Sequence, residues 1–336
     1  MAITIRDVGN LAGVSQATAA RVLGGYGSAS PAVRSRVEAA ARTLGYVPNS
    51  VARALASGLT HAVGLVVSDI ENPFFAAAAR GMSDVLEDHG HTVLLTNSDE
   101  NPDRERHAIT ALRARQVDAL VVVPSASGPL PHLTEAAAAA PLILLDRAVR
   151  GLGVDSVTVD NRGGARLAVE HLINHGHRRI GLVSDVPTIS SSSERIEGYR
   201  EALSAAGIEL DEELISLGGP TRDDGYQATL RLLERDERPT ALFTANNFMT
   251  LGAMLALSHR DLHVPDDISL VGFDDLEWTT LVSPPLTVVS QPALEMGIFA
   301  AERVLTRLAG DGGRPRRFKL DTKLIIRESC AAKVGA

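Results

Sequence analysis

The chain has 336 residues, enough for two or three domains, and its 45% hydrophobic and 22% charged content excludes a disordered or fibrous protein. A single cysteine, Cys330, excludes a disulfide framework and a zinc set and leaves a structural thiol. The net charge of −8 would argue against nucleic acid if it were evenly spread, but residues 1–60 carry six arginines against two acids (net +4) and the remainder 27 bases against 39 acids (net −12). A small basic head on an acidic body places DNA at one end and keeps the body off the phosphates. The first residues lack a basic segment followed by an apolar run, and charges or glycines interrupt every apolar run short of a membrane span. The protein is therefore read as cytoplasmic, without contact to a membrane.

Taken in order, Thr4 and Asp7 have the form of a capping box, so a helix is expected from Ile5, with Val8, Leu11 and Ala12 as its apolar stripe. Gly13 provides a tight reversal, and Ser15 caps a second helix that buries Ala19, Val22 and Leu23 while exposing Gln16, Ala17 and Arg21. Two short helices across a glycine turn form a helix-turn-helix unit, whose second helix enters the major groove. There Gln16 suits adenine N6 and N7, Arg21 suits guanine O6 and N7, and Ala17 suits a thymine methyl. Ser30-Pro31 opens a third helix, striped by Val33, Val37, Ala40, Ala41 and Leu44 and ended by Gly45. After Pro48, Asn49 can cap one more helix, Ser50 to Ala56, which is well below the roughly 12–15 residues an isolated helix needs. It is expected to form only with outside support, and Leu55 has nothing in its own domain to bury against.

From His61 the pattern becomes apolar runs alternating with amphipathic helices. Strands are expected at Ala62–Val67, Thr92–Thr96, Ala119–Val123, Leu142–Leu145, Val157–Val159, Ile180–Val183, Ala241–Thr244, Ser269–Gly272, Thr287–Val289 and Leu320–Ile326. Helices between them include Phe74–Asp88, Arg104–Arg115, Gly164–His175, Arg195–Ala206, Gly225–Glu234 and Ala293–Leu308. Such a pattern indicates two doubly wound parallel sheets, with a cleft at the carboxyl ends of their strands. No internal sequence repeat is visible.

The helix-turn-helix unit is followed, in order, by Gly45-Tyr46-Val47-Pro48-Asn49, Ala52-Arg53-Ala54-Leu55, Asn72-Pro73-Phe74-Phe75, Asp146-Arg147, Asp160-Asn161, Gly176-His177, Arg195 with Gly198-Tyr199, Val271-Gly272-Phe273-Asp274-Asp275 and Ile326-Arg327-Glu328-Ser329. As an ordered set they resemble the lac repressor/gal repressor (LacI/GalR) family of bacterial transcription regulators over essentially the whole chain. The resemblance implies an all-α head over residues 1–47, a hinge helix and linker over 48–60, and an α/β body over 61–330 like the periplasmic sugar-binding proteins. Its first lobe takes about 61–160 and 291–319, its second about 161–290 and 320–330. It further implies a homodimer on a pseudo-palindromic operator of double-stranded DNA, contacted by Ser15, Gln16, Ala17, Thr18 and Arg21 in the head and by Asn49, Ala52, Arg53 and Leu55 at the hinge. Leu55 would wedge into the minor groove, where an apolar side chain levers a base step apart; the plainer reading makes it a core leucine. Ala19-Ala20 replaces the usual Val-Ser, which removes a hydroxyl expected near phosphate.

For the body, the resemblance implies an effector pocket built from Asn72, Phe74, Phe75, Asp146, Arg147, Arg195, Asn246, Asp274 and Gln291, closest to the ribose type. Carboxylates, amides and guanidinium groups suit vicinal hydroxyls, and aromatic faces suit ring C–H groups. No aromatic stands near Pro220-Thr221, and Asn247 replaces a commonly acidic neighbour, so a stacking ring on the second lobe is not expected. The plainer alternative makes Phe74 and Phe75 core residues and pairs Arg195 with Asp274. No dinucleotide or Walker-type glycine loop and no Gly-x-Ser-x-Gly elbow is present, so no enzyme and no cofactor is expected. His171, His175 and His177 resemble a metal site only superficially, and no metal is expected. A solute-binding receptor without DNA regulation is the rival reading, opposed by the basic head. The expected function is that of a repressor controlled by a monosaccharide, with a ribose-like pentose favoured. The short tail after Ser329 has no leucine heptads to suggest a coiled-coil tetramer.

Overall fold

The computed structural model describes residues 3–24, 28–46 and 58–333. In the head, the Thr4 backbone N–H and hydroxyl both donate to Asp7 Oδ2, at 2.9 and 2.7 Å, and start helix α1 (Ile5–Ala12). The same bonds hold the Asp7 carboxyl below its ordinary pKa. Gly13 ends α1 in the left-handed region at φ 65°. Ser15 Oγ then accepts from the Thr18 N–H at 3.1 Å, at the start of α2 (Gln16–Gly24). Ser30 caps α3 (Pro31–Leu44) through the Val33 N–H. The three helices close on Val8, Ala12, Ala19, Val22, Val37, Ala40 and Ala41. Gly9 permits the approach of the turn to α1, because a Cβ there would stand 3.1 Å from the Val14 carbonyl oxygen.

Leu11 corrects the expected stripe: it is 54% exposed. The buried stripe of α1 is Ile5, Val8 and Ala12, and at 100° per residue Leu11 lies about 90° around the helix from its centre.

The body contains strands β1 (Ala62–Val67), β2 (Thr92–Asn97), β3 (Ala119–Val122), β4 (Leu142–Leu145), β5 (Asp155–Val159), β6 (Ile180–Ser184), β7 (Ile215–Leu217), β8 (Ala241–Thr244), β9 (Ser269–Phe273), β10 (Thr287–Ser290), β11 (Arg317–Leu320) and β12 (Lys323–Ile325). Its helices are α4 (Pro73–Asp88), α5 (Pro102–Ala114), α6 (Pro131–Ala139), α7 (Asn161–Asn174), α8 (Ser190–Ala205), α9 (Arg222–Leu233), α10 (Asn247–His259), α11 (Trp278–Leu281) and α12 (Ala293–Leu308). One sheet has the order β11-β5-β4-β3-β1-β2 and the other β12-β10-β9-β8-β6-β7. Pairing is parallel except for β12, which runs antiparallel to β10. Both faces of each sheet are covered by apolar clusters, which is why the strands read as unbroken Val/Leu/Ile runs.

The chain passes between the two sheets three times, each time over one or two residues: Asp160 from β5 to α7, Gln291-Pro292 from β10 to α12, and Asp321-Thr322 from β11 to β12. Thr322 Oγ1 donates to the Asp160 carbonyl at 3.2 Å, so the first and third passages lie against each other. The expected strand 320–326 is accordingly corrected. It is two strands in different sheets, divided by a step that no glycine or proline announces. The other expected strands appear with ends moved by at most two residues.

Helices α5 and α7 begin earlier than their apolar periodicity suggests, because their N-caps are polar residues upstream. Asn101 caps α5 with Pro102 at its first position, and Asp160 caps α7. The run Ser190 to Ser193, which reads as loop, is the first turn of α8.

Candidate functional site

In the head, Gln16, Ala17 and Arg21 share an exposed face of α2, and Thr18 is half-buried. The hydroxyls of Ser15 and Thr18 lie 2.9 Å apart, and Thr18 Oγ1 accepts from Arg21 Nη2 at 3.4 Å. Ser15 thus both caps the helix and borders its exposed face. The helix stands on Ala19 and Val22 in the core, with Ala20 half-buried, so both members of Ala19-Ala20 serve close packing. Asn49, Ala52, Arg53 and Leu55, with the expected Ser50–Ala56 helix, lie outside the described residues.

In the body, one cavity opens between the lobes at the carboxyl ends of the strands. Asn72, Phe74, Phe75, Asp146, Arg147, Arg195, Asn246, Asp274 and Gln291 all line it, joined by Asp69, Glu100, Asp185, Ser191, Pro220 and Phe248. Each position follows from the strand–helix alternation. Asn72 caps α4 through the Phe74 N–H at 3.0 Å, and Asn246 caps α10 through the Met249 N–H at 2.9 Å. Ser191 and Arg195 lie one turn apart on α8. Phe74 and Phe75, 6% and 4% exposed, meet edge to face at 5.1 Å, and both rings belong to the first lobe's core as well as to the cavity wall.

Asp146 and Asp274 occupy corresponding places, directly after β4 and β9. Both adopt the left-handed region, at φ 65° and 80°, which a short polar side chain tolerates best. Each backbone N–H stays on its sheet, Asp146 donating to Val157 O at 2.8 Å and Asp274 to Val289 O at 2.9 Å. Their carboxylates differ. Asp274 accepts from the Asn247 N–H and Nδ2, each at 3.0 Å, and from Gln291 Nε2. Asp146 Oδ1 is buried with no hydrogen-bond partner among the described residues. Burial pushes the Asp146 carboxyl up to about 6, against the pull of Arg147 and Arg195 and with the help of Asp274 and Glu100.

The two arginines are largely engaged. Arg147 Nη1 and Nη2 each donate to Glu100 at 2.6 Å, and Nη1 also reaches Pro124 O at 2.9 Å. Burial works against its charge, but Glu100, Asp146 and Asp185 together outweigh burial and hold the proton more tightly than on a free arginine. Arg195 donates from Nε to Asn161 Oδ1 at 2.9 Å and from Nη1 to Ala245 O, with its guanidinium 3.8 Å over the Phe273 ring. The alternative pairing of Arg195 with Asp274 is therefore not what forms. Asp185, which accepts from Asn246 Nδ2 at 3.2 Å, is also raised by burial. The lobes touch directly through Asn247 Nδ2 to Asn72 Oδ1 at 2.9 Å, and at the rim through Ala148 N–H to Ser190 Oγ at 2.9 Å.

One expectation is corrected here. The second lobe does offer an aromatic wall, Phe248, from the first turn of α10 rather than from the stretch near Pro220. Its signal was legible as the aromatic two residues after the N-cap Asn246, matching Phe74 after Asn72. Glu100 and Asp185 carry no such signal, since each is an acid in a loop after a strand, and Glu100 has Asp99 beside it. Asp275, adjacent to Asp274, turns away and accepts from Arg327 Nη2 at 2.7 Å. His177 joins the Thr240 and Ser269 hydroxyls at 2.9 and 3.0 Å, which makes it a packing residue. Burial raises the Cys330 thiol to about 11.

Residues 60–328 match the periplasmic binding proteins and sugar binding domain of the LacI family, and residues 4–49 match the bacterial regulatory proteins of the lacI family. The chain belongs to the LacI/GalR family. As a LacI/GalR member it is a DNA-binding transcription regulator, with a helical head and a two-sheet body of the periplasmic-binding-protein type, and not an enzyme. It is 39% identical over 306 residues to the HTH-type transcriptional regulator GalR of Escherichia coli, covering 90% of this chain and 88% of that one. The structure of the transcriptional regulator CelR in complex with cellobiose is similar at a TM-score of 0.74 and 35% identity, over 98% of this chain and 100% of that one. The lac repressor dimer bound to operator and an anti-inducer matches at a TM-score of 0.85 and 27% identity, over 99% and 100%. Among the described residues no helix is long and apolar enough to cross a membrane.

Proposed function

We propose that this chain is a repressor that binds a pseudo-palindromic operator as a homodimer and is controlled by a monosaccharide held in the interlobe cavity, with a ribose-like pentose favoured. The observation that carries the reading is the convergence of both lobes' strand ends and three helix N-termini, those of α4, α8 and α10, on one cavity. Carboxylates, amides and an arginine are set there among Phe74, Phe75 and Phe248, a lining that suits hydroxyls at the ring edge and C–H groups at its face. The operator named for the lac repressor structure and the sugar named for the CelR structure support an operator and a sugar effector for this chain.

In this reading the head comprises residues up to about 47 and reads bases with Gln16, Ala17 and Arg21, flanked by Ser15 and Thr18. A linker over about 48–60 supplies Asn49, Ala52, Arg53 and the wedge Leu55. Two heads on two half-sites account for the palindrome. The sugar acts by favouring one pose of the lobes over the other, since equal affinity for both poses would shift nothing.

The test is fluorescence anisotropy of the full chain on a palindromic duplex, with and without sugars. Leu55→Ala is expected to weaken operator binding roughly tenfold or more, as loss of an intercalating wedge does, and to leave sugar affinity nearly unchanged. Equal operator binding by parent and variant removes the wedge from the mechanism. Failure of every monosaccharide to change operator binding removes the sugar.

A further inference from the structure

Resting on the reading of the interlobe cavity as the effector site, we infer that it accepts only an uncharged, unphosphorylated sugar and rejects sugar phosphates and sugar acids. Five carboxylates line the cavity, Asp69, Glu100, Asp146, Asp185 and Asp274, against two cations among the described residues, Arg147 and Arg195. Glu100 takes Arg147 in a two-pronged pair at 2.6 Å, so that guanidinium has no charge to spare for a ligand. Arg195 gives Nε to Asn161 and one N–H of Nη1 to Ala245, which leaves its other N–H groups, chiefly on Nη2, for a ligand. An anionic group would enter a wall of net negative charge, with a single shared cation to meet it.

The unsatisfied atoms point the same way. Next to the cavity, three buried side-chain oxygens have no hydrogen-bond partner among the described residues, Asp146 Oδ1, Asn247 Oδ1 and Gln291 Oε1, against one unpartnered donor, Arg147 Nε, which faces Asp146 Oδ2 as an ion pair at 3.4 Å. All three oxygens are acceptors. The two amides cannot simply be turned over, because Asn247 Nδ2 already faces the oxygens of Asn72 and Asp274, and Gln291 Nε2 faces Asp274. What is lacking is donors, and a phosphate or carboxylate brings acceptors alone. Neutral hydroxyls bring a donor each. Asn247 belongs to the same design: an acid at that position would add a sixth carboxylate and lose the bond to Asn72.

The experiment is isothermal titration calorimetry of the full chain at pH 7.5 against matched pairs: D-ribose and ribose 5-phosphate, D-glucose and glucose 6-phosphate, D-galactose and galacturonate. For whichever neutral sugar binds, the charged partner is expected to bind about 100-fold more weakly or worse, the scale of a like-charge juxtaposition. A charged sugar that binds as tightly as its neutral parent overturns the inference while leaving the sugar reading of the cavity intact. Silence from every sugar overturns both. Glu100→Gln, checked for folding by circular dichroism, frees Arg147 and is expected to narrow the neutral-to-charged ratio about tenfold. An unchanged ratio in the folded variant shows that the Glu100–Arg147 pair does not set the charge of the cavity, and overturns the account.

Discussion

The two lobes of the body are built on one plan and finished differently. Each orders its strands the same way and faces the cleft with an aspartate in the left-handed region after its fourth strand, Asp146 in one and Asp274 in the other. Asp274 is satisfied by Asn247 and Gln291, and so it is set in place before any ligand arrives. Asp146 is buried with an empty oxygen and a carboxyl raised to about 6. A repeated backbone therefore does not repeat the electrostatics. The aspartate of the second lobe is held in place, and that of the first is left wanting a donor. That asymmetry suits a cleft that senses a ligand, because a bound hydroxyl completes the one aspartate and finds the other already set.

Both lobes are most easily damaged at the helix crossings that they share. A Cβ at Gly297 would lie 1.9 Å from Ala78 O where α12 crosses α4, and one at Gly198 would lie 2.3 Å from Arg162 O where α8 crosses α7. Gly297→Ala is expected to cost about 3–5 kcal/mol, with Gly198→Ala close behind, read by urea unfolding. A loss under about 1 kcal/mol in one lobe alone would show that its crossing can relax.

Next in size, Asp274→Ala leaves Asn247 and Gln291 donors unpaired in a buried site. It is expected to weaken effector binding at least about 100-fold while operator affinity stays unchanged. A variant still released normally by sugar removes Asp274 from the site.

Asp146→Asn is the opposite case. Because burial raises this carboxyl, the folded state holds the proton more readily than the unfolded chain between about 4 and 6. The stability of the parent falls as pH rises through that window and carries the full penalty above it. The variant should therefore be more stable at pH 7.5, by up to about 3 kcal/mol, and the advantage should fade toward pH 4. Its sugar affinity should also depend less on pH. In the parent, protonation below about 6 exchanges a carboxylate acceptor for a weaker neutral one that carries an O–H of its own, with Arg147, Arg195, Glu100, Asp274 and the likewise raised Asp185 as the charged groups around the cavity. A parent whose affinity is flat from pH 5 to 7.5 contradicts this role.

The smallest effect is expected from Phe248→Ala, which trims a half-buried ring and should weaken sugar binding about tenfold, with little change in melting temperature.

Much of this molecule is legible in its residues, for identifiable reasons. The buried parallel strands declare themselves as Val/Leu/Ile runs, and the head declares itself through Thr4, Asp7, Gly13, Ser30 and Gly45, whose capping and turning are local chemistry. Legibility fails where burial is purchased by pairing. Asp155 reads as loop, yet it is 1% exposed and begins β5, because Arg303 and Arg307 of α12 close on it. β11, with alternating Arg317 and Lys319, and the three-residue β7 are edge strands whose patterns are too short or too charged to read. In the cavity the motif residues were visible because they cluster at strand ends. Glu100 was not, since only the fold brings it to Arg147, 47 positions away. Phe248 is harder to read, because it sits at the start of α10, away from the stretch near Pro220.

The three passages of the chain between the lobes have a mechanical consequence. With one- and two-residue links, and two of them bonded through Thr322 and Asp160, the lobes cannot drift apart or slide. They can turn only like covers on the spine of a book. Gln291 belongs to one of those links, and its side chain reaches Asp274 in the cavity, so the part that pivots also touches whatever lies between the covers. A small molecule seated there acts on the axle itself and needs no relay to reach it.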